Sequence, residues 1–226
     1  MKTCRLISLA AACNLAAVAF SPAFAAEAGD PVAGKAKTSM CIGCHGIGGY
    51  RTAFPEVYSV PKLGGQHATY IVKALQEYKS GNRSHPSMRA IAAGLSDRIW
   101  PTLARTTRRI QPAPRRNRGT TMNKRILAIC LTLPLSLPAF AGDPEAGQRK
   151  SQPCVACHGP DGNSTSAEFP KLAGQHYDYL VKAINDYKAG GRKSPIMAPM
   201  VEKLTVRDIE DLAAYYSSRK GLVLKY

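Results

Sequence analysis

The chain has 226 residues, and its 31 Lys and Arg outnumber its 15 Asp and Glu to give a formal net charge of +16. This length allows one or two small domains, and an aromatic content of 7% argues against a large hydrophobic core. The charge does not indicate a nucleic-acid-binding face, because nine basic residues lie in residues 98–125, which contain no acidic residue and no apolar periodicity.

The first 25 residues have the pattern of a secretory signal peptide. Lys2 and Arg5 precede an apolar run over residues 6–20. Residues 23–25 read Ala-Phe-Ala, a small-x-small cleavage sequence. The run is too short for a comfortable membrane span. We therefore predict a signal peptide over residues 1–25 and export of the chain to the periplasm.

The sequence Cys-x-x-Cys-His occurs twice, over residues 41–45 and 154–158. Two thiols at this spacing on a helical turn can each bond one vinyl group of a haem, and the histidine that follows then faces the iron. A redox dithiol and a zinc site are the alternatives, but the βαβ pattern typical of a redox dithiol is not visible. The predicted attachment residues are Cys41, Cys44, Cys154 and Cys157, and the predicted proximal iron ligands are His45 and His158.

Both motifs belong to a longer internal repeat. Residues 29–34 match residues 142–147. Residues 61–67 match residues 170–176 at an offset of 109 positions, which also relates Lys79 to Lys188. Further matches along the chain indicate a duplication of a whole domain. We predict an incomplete first domain over residues 26–97 and a complete second domain over residues 142–226.

The second copy has the helical pattern of a small all-α domain. Residues 143–152 suit a short first helix, and apolar positions at helical spacing predict a helix over residues 177–189. A last helix is predicted after Thr205, with Ile209, Leu212, Ala213 and Tyr216 on its apolar face.

The first copy follows the second only as far as Asp97. Pro101 is unfavourable for a helix at that point, and no amphipathic pattern follows it. We therefore expect the first domain to lack its C-terminal helix, and residues 98–121 to form a disordered basic linker.

A second signal-like segment follows over residues 122–141. Met122 and a basic pair precede an apolar run over residues 126–140 that ends in Ala-Phe-Ala. A membrane helix is the alternative, but the run is short and contains Pro134 and Pro138. Our hypothesis is that two adjacent coding units are read as one, the first losing its frame near Asp97.

Methionines at equivalent positions are candidates for the second axial ligand. Met197 lies 39 residues after His158, and Met88 aligns with it, whereas Met200 aligns with Ile91. Sulfur favours ferrous iron, so we predict Met88 and Met197 as ligands. The alternative is that these methionines only fill gaps in the core. His67 and His176 are also repeated and would give a bis-histidine iron.

Pro61 and Pro170 occupy equivalent positions in the loop after each haem motif. The carbonyl of such a residue would accept a hydrogen bond from the proximal histidine and fix its orientation. A role in shaping the turn alone is an equal alternative.

Taken together, these motifs resemble class I cytochromes c, and two halves in one chain resemble the di-haem cytochrome c-4 type. The resemblance implies an all-α fold with two small haem domains in tandem, the first lacking its C-terminal helix. It implies two haem c groups if both halves fold, and one, in the second half, if they do not. It also implies periplasmic electron transfer between respiratory redox proteins.

The resemblance further implies periplasmic or membrane-bound redox partners, no nucleic acid, and at most peripheral membrane association. An enzyme role, as the haem c subunit of a periplasmic dehydrogenase or as a haem peroxidase, is the alternative.

Overall fold

The computed structural model describes residues 34, 37–53, 56–96, 100–103 and 142–224. Within these ranges the protein is helical and forms no β-strand, only isolated β-bridges, which confirms the all-α prediction. None of the helices in the described ranges has the length and apolar character that a membrane crossing requires. Both signal-like segments, residues 1–25 and 122–141, lie outside the described residues.

The helices follow the repeat. The first half contains α1 (Ser39–His45), α2 (Ala68–Ser80) and α3 (Pro86–Ala93). The second half contains α4 (Pro144–Lys150), α5 (Gln152–His158), α6 (Tyr177–Lys188), α7 (Met197–Val201) and α8 (Val206–Ser218).

Helices α4 and α8 cross at very close range in the second half. A Cβ built on Gly147 would lie 2.0 Å from the Asp211 carbonyl oxygen, so only glycine permits this approach. Helix α8 begins with a capping box in which Thr205 and Asp208 exchange side-chain to backbone hydrogen bonds. Its inner face then packs into a core cluster with α6 that contains Leu180, Leu212, Ala213, Tyr215 and Tyr216.

The buried carboxylate of Asp211 joins α4 and α8. Asp211 is 2% exposed and accepts hydrogen bonds from the Asp143 N–H at 2.7 Å and from Lys150 Nζ at 2.7 Å. Arg207 Nε lies 3.1 Å from the same carboxylate. Burial raises the pKa of Asp211, but the hydrogen bonds from Lys150 and Asp143 outweigh it, so its pKa lies below the ordinary value.

The first half has a small core that extends past the predicted domain end. Residues 100–103 are helical, and the side chains of Trp100 and Leu103 are 2% and 3% exposed. Trp100 packs with Ile71, Leu75, Tyr78 and Ala92. The expected disordered linker over residues 98–121 is therefore wrong at residues 100–103. Pro101 is unfavourable for a longer helix, but Trp100 and Leu103, three residues apart, share one helical face.

We expect Gly147→Ala to destabilise the second half by about 3 kcal/mol, because the added methyl group forces α4 away from α8. Urea unfolding followed by helical circular dichroism measures this change. Gly191→Ala is the matched control, since its Cβ would have only ordinary contacts at 3.8 Å. An equal effect of both substitutions would contradict the close helix crossing.

The ion-paired carboxylates of α8 predict a loss of stability in acid. Hydrogen bonds from Lys150 and Thr205 lower the pKa of Asp208, and the pKa of Asp211 is also lowered. Their contribution is present above the ordinary carboxyl pKa of about 4 and is lost as the pH falls through the lower folded-state values. Unfolding free energies measured from pH 6 to pH 2 should fall less steeply in Asp211→Asn than in the parent. Parallel pH profiles would refute this account.

Candidate haem site

Each Cys-x-x-Cys-His motif lies on a short helix of its own. Helix α1 carries Cys41 and Cys44, and α5 carries Cys154 and Cys157. The first and fourth residues of such a segment lie on one side of a helix. All four thiols are partly buried and none is in a disulfide. Each half therefore presents two thiols on one side of a helix, next to a histidine.

The two motif histidines are held by the same contact. His45 Nδ1 lies 2.7 Å from the Pro61 carbonyl oxygen, and His158 Nδ1 lies 2.8 Å from that of Pro170. A carbonyl only accepts, so each Nδ1 carries the hydrogen and each Nε2 keeps its lone pair. The predicted contact from the loop prolines is thus present in both halves, and these residues do more than shape a turn.

Burial also favours the neutral form of the two imidazoles. It lowers the pKa of both His45 and His158 below the ordinary value, against the opposing effect of the proline carbonyls. Both imidazoles are therefore neutral near pH 7, which is the form that ligates iron.

A cavity of about 620 Å³ is lined by residues of both halves. Apolar side chains form much of its wall. The cavity brings together the residues predicted to attach the haems and the preferred iron ligands: Cys41, Cys44, His45, Met88, Cys154, Cys157, His158 and Met197.

Equivalent caps position the two methionines. The Met88 N–H donates to His85 Nδ1 at 3.2 Å at the start of α3. The Met197 N–H donates to Ser194 Oγ at 3.1 Å at the start of α7. Met197 is the first residue of the short helix α7. Met200, which lies one turn further along, also lines the cavity.

The two rival histidines lie elsewhere. Neither His67 nor His176 lines the cavity. His67 is 9% exposed, and its Nε2 lies 2.8 Å from the Ser164 carbonyl oxygen in the other half. The structure therefore brings the repeated methionines, and not the repeated histidines, to the cavity that His45 and His158 line.

The sequence analysis missed a pair of buried arginines that also line this cavity. Arg83 and Arg192 are each 5% exposed, and they form an antiparallel bridge with one another. Arg83 donates to the Tyr179 hydroxyl at 2.6 Å, and Arg192 donates to the same oxygen at 3.1 Å. The two guanidinium groups also stack over the rings of Tyr78 and Tyr187.

Neither arginine forms an ion pair with a carboxylate among the described residues. Burial raises the pKa of Glu77, and the nearby charge of Arg83 opposes that shift. The Nε atoms of both arginines have no hydrogen-bond partner. A buried cation normally requires a paired anion. A haem carries carboxylate groups, so the chemistry of this wall fits the cofactor as well as the thiols and imidazoles do. The only sequence signal was that Arg83 and Arg192 are equivalent in the repeat.

A zinc site is not supported by the described residues, among which no group of three or more His, Cys, Asp or Glu side chains is placed to hold a metal ion. The cysteine and histidine pairs of the two halves do not combine in the tetrahedral set that structural zinc needs.

Comparisons with known proteins agree with this geometry. The family model described as "Cytochrome c" matches residues 144–220. The chain is 32% identical over 181 residues to the "Thiosulfate dehydrogenase electron acceptor" of Stutzerimonas stutzeri (strain A1501), covering 79% of this chain and 78% of that protein. It is 49% identical over 112 residues to "Cytochrome c4" of Stutzerimonas stutzeri, covering 45% of this chain and 53% of that protein. This match thus spans about half the length of that relative.

The crystal structure of reduced recombinant cytochrome c4 from Pseudomonas stutzeri superposes with a TM-score of 0.61 at 28% identity, covering 87% of this chain and all of that one. The chain belongs to the cytochrome c family, and within it to the class I type that carries two haem domains in tandem, as in cytochrome c4. Haem c is the cofactor of this family.

Proposed function

We propose that the protein is a periplasmic one-electron carrier with one haem c in each half. The observation that carries the proposal is the single cavity into which both halves direct an oriented, neutral imidazole, a pair of thiols and a methionine. When bound, haem supplies a one-electron couple between Fe(III) and Fe(II). The chain's own residues hold it, orient its ligands and exclude water.

The holding residues are assigned by their motifs and positions. Cys41 and Cys44 would attach one haem, with His45 and Met88 as axial ligands. In the second half, Cys154 and Cys157 would attach the other haem, and His158 and Met197 would bind its iron. Two protein ligands on each iron would leave no position for oxygen or substrate, which suits a carrier.

We propose that the buried arginines bind the carboxylate groups of the haems. Arg83 and Arg192 have hydrogen-bonding capacity left on Nε and lie in the cavity wall. Charge-assisted hydrogen bonds to carboxylates would satisfy both guanidinium groups. Two buried positive charges in the cavity wall would also disfavour the ferric state of the haems, and so raise the reduction potential.

Partners are proposed to be redox proteins that bind briefly. Ile196 and Met200 flank Met197 and are 54% and 44% exposed, while both also line the cavity. A small apolar patch beside the proposed site suits a transient contact with another redox protein. The signal-like residues 1–25 support export to the periplasm.

A second candidate is a role as the haem subunit of a periplasmic dehydrogenase. It is favoured by the likeness to a protein named as a thiosulfate dehydrogenase electron acceptor. Such a subunit would use the same ligand set, so the two candidates differ only in whether the enzyme remains bound. Co-purification of a stoichiometric enzyme with the native protein would favour the second candidate. A peroxidase role requires an open iron position and is contradicted if the reduced native protein fails to bind carbon monoxide.

We expect Met197→Ala to open one iron to carbon monoxide, because the thioether would no longer occupy the sixth position. Optical titration of the reduced protein with carbon monoxide measures binding, and the loss of a weak band at the red edge of the visible spectrum of the oxidised protein reports the sulfur ligand.

Met200→Ala is the matched control, since Met200 lines the same cavity. If Met200→Ala opened the iron and Met197→Ala did not, the ligand assignment would be wrong. A purified product without Soret absorption would end the haem proposal itself.

We expect Arg192→Gln to lower the midpoint potential of the protein, because removing a buried positive charge favours Fe(III) by on the order of 1 kcal/mol. Spectroelectrochemical titration measures the shift. Arg149→Gln removes the same charge from an exposed position on α4 and should leave the potential nearly unchanged. Equal potentials in the parent and in Arg192→Gln would show that the guanidinium group does not act on the haems.

A further inference from the structure

The junction between the two halves is built largely from hydrogen bonds that occur twice. Gln175 Oε1 accepts from the Lys62 N–H at 2.9 Å, and Gln175 Nε2 donates to the Lys62 carbonyl at 3.1 Å. Gln66 makes the same two bonds with Lys171, each at 3.0 Å. The bonding residues correspond in the repeat, so this part of the junction has approximate two-fold symmetry.

The symmetry extends to the loops that precede α3 and α7. The Ser84 N–H donates to the Gly191 carbonyl, and the Lys193 N–H donates to the Asn82 carbonyl, both at 2.8 Å. On these contacts alone, a second copy of residues 142–224 would offer every partner that the first half offers. A homodimer of two second halves would therefore compete with the observed pairing of one first half with one second half.

Other contacts at the junction have no symmetric counterpart. Asp178 Oδ2 accepts from the Ser59 N–H at 2.8 Å and from its hydroxyl at 2.9 Å, and it pairs with Arg51 at 3.2 Å. Glu168 stands in the second half where Ser59 stands in the first. In a pair of two second halves, Asp178 would thus meet an acidic residue in place of a hydroxyl donor, and like charges at this place oppose such a pair.

The C-terminal segment adds a second asymmetric contact. Val223 forms an antiparallel bridge with Gly64, with N–H to carbonyl distances of 3.0 and 3.1 Å. A Cβ on Gly64 would lie 2.7 Å from the Val223 carbonyl oxygen and 2.9 Å from its Cγ2. Position 64 must therefore be glycine for this bridge to form.

The equivalent residue of the second half is unsuited to the same bridge. Ala173 has the Cβ that Gly64 lacks. Its N–H also already donates to the Gly162 carbonyl at 3.1 Å, and its carbonyl accepts from the Leu222 N–H at 2.7 Å. A second copy of this half has no free backbone groups at this position for Val223 to pair with.

We infer that the face of the second half formed by Lys171, Gln175, Asp178, Lys193 and Val223 is a docking surface specific for the first half of this chain. It selects the first half over a second copy of residues 142–224, and it holds the halves together without the peptide connection between them. This association of the halves does not depend on electron transfer. The Ala-Phe-Ala sequence at residues 139–141 has the form of a cleavage site, and cleavage there would leave the docking surface as the link between the halves.

The experiment severs the connection in the haem-loaded full chain. A recognition sequence for a specific protease is inserted between residues 117 and 118, the purified protein is cut, and native mass spectrometry identifies the species. We expect a complex of one first half with one second half. If export already delivers two pieces, the same measurement applies directly. Separate halves at micromolar concentration, or second halves paired with each other, would overturn the inference.

Two variants test the asymmetric contacts. Asp178→Asn should weaken the association of the cut halves about tenfold, since hydrogen bonds to a charged group are lost. Its control, Glu145→Gln, makes the same charge change at an exposed position on α4. Gly64→Ala should also weaken the association, whereas Gly48→Ala, whose Cβ would lie 3.7 Å from Leu224, should not.

Visible spectra and helical circular dichroism of each uncut variant show whether the halves remain folded. Unchanged dissociation constants in both Asp178→Asn and Gly64→Ala, with intact folds, would show that the asymmetric contacts do not select the partner.

Discussion

The helices of this protein pack around a cavity, and the candidate haem site depends on the residues that line it. Each half buries only a small apolar cluster, centred on Ile71 and Leu75 in the first and on Leu180 and Leu212 in the second. Small domains rarely gain enough stability from such clusters alone. A covalently attached apolar cofactor between the helices would add the burial that the side chains do not supply. The same cavity thus serves both stability and function.

Local hydrogen bonds, more than the apolar clusters, orient the residues of the site. A proline carbonyl holds the ring of His45 in the first half and that of His158 in the second. Side-chain caps hold the N–H groups of Met88 and Met197 at the starts of their helices. These local contacts recur in both halves although much of the surrounding sequence differs. They place equivalent histidines and methionines in the same way in two unequal domains.

The junction combines approximate symmetry with specific exceptions. The symmetric hydrogen bonds of Gln66 and Gln175 join the two halves around one cavity, where Arg83 and Arg192 both donate to the Tyr179 hydroxyl. The exceptions, at Asp178 and Val223, distinguish one half from the other. A duplicated domain with two unequal copies can keep its pairing in this way. The C-terminal segment of the second half bonds to Gly64 of the first.

The sequence by itself determined the residues whose chemistry is local. The thiols and histidines follow from a five-residue spacing, and the helix predicted over residues 177–189 is α6, Tyr177–Lys188. The repeat offset was enough to choose Met197 over Met200 as a candidate ligand. The prediction failed at residues 100–103, because the burial of Trp100 depends on side chains of α2 that are distant in the chain.

Only the tertiary structure decided which repeated residues meet. His67 and Met88 are both repeated, yet one bonds to Ser164 in the other half and the other lines the cavity. The sequence gives no sign that Arg83 and Arg192 are buried, whereas the fold buries both beside the Tyr179 hydroxyl. The reason is physical: spacing along a helix fixes which side chains share a face, but burial and charge pairing depend on segments that come together only when the halves pack.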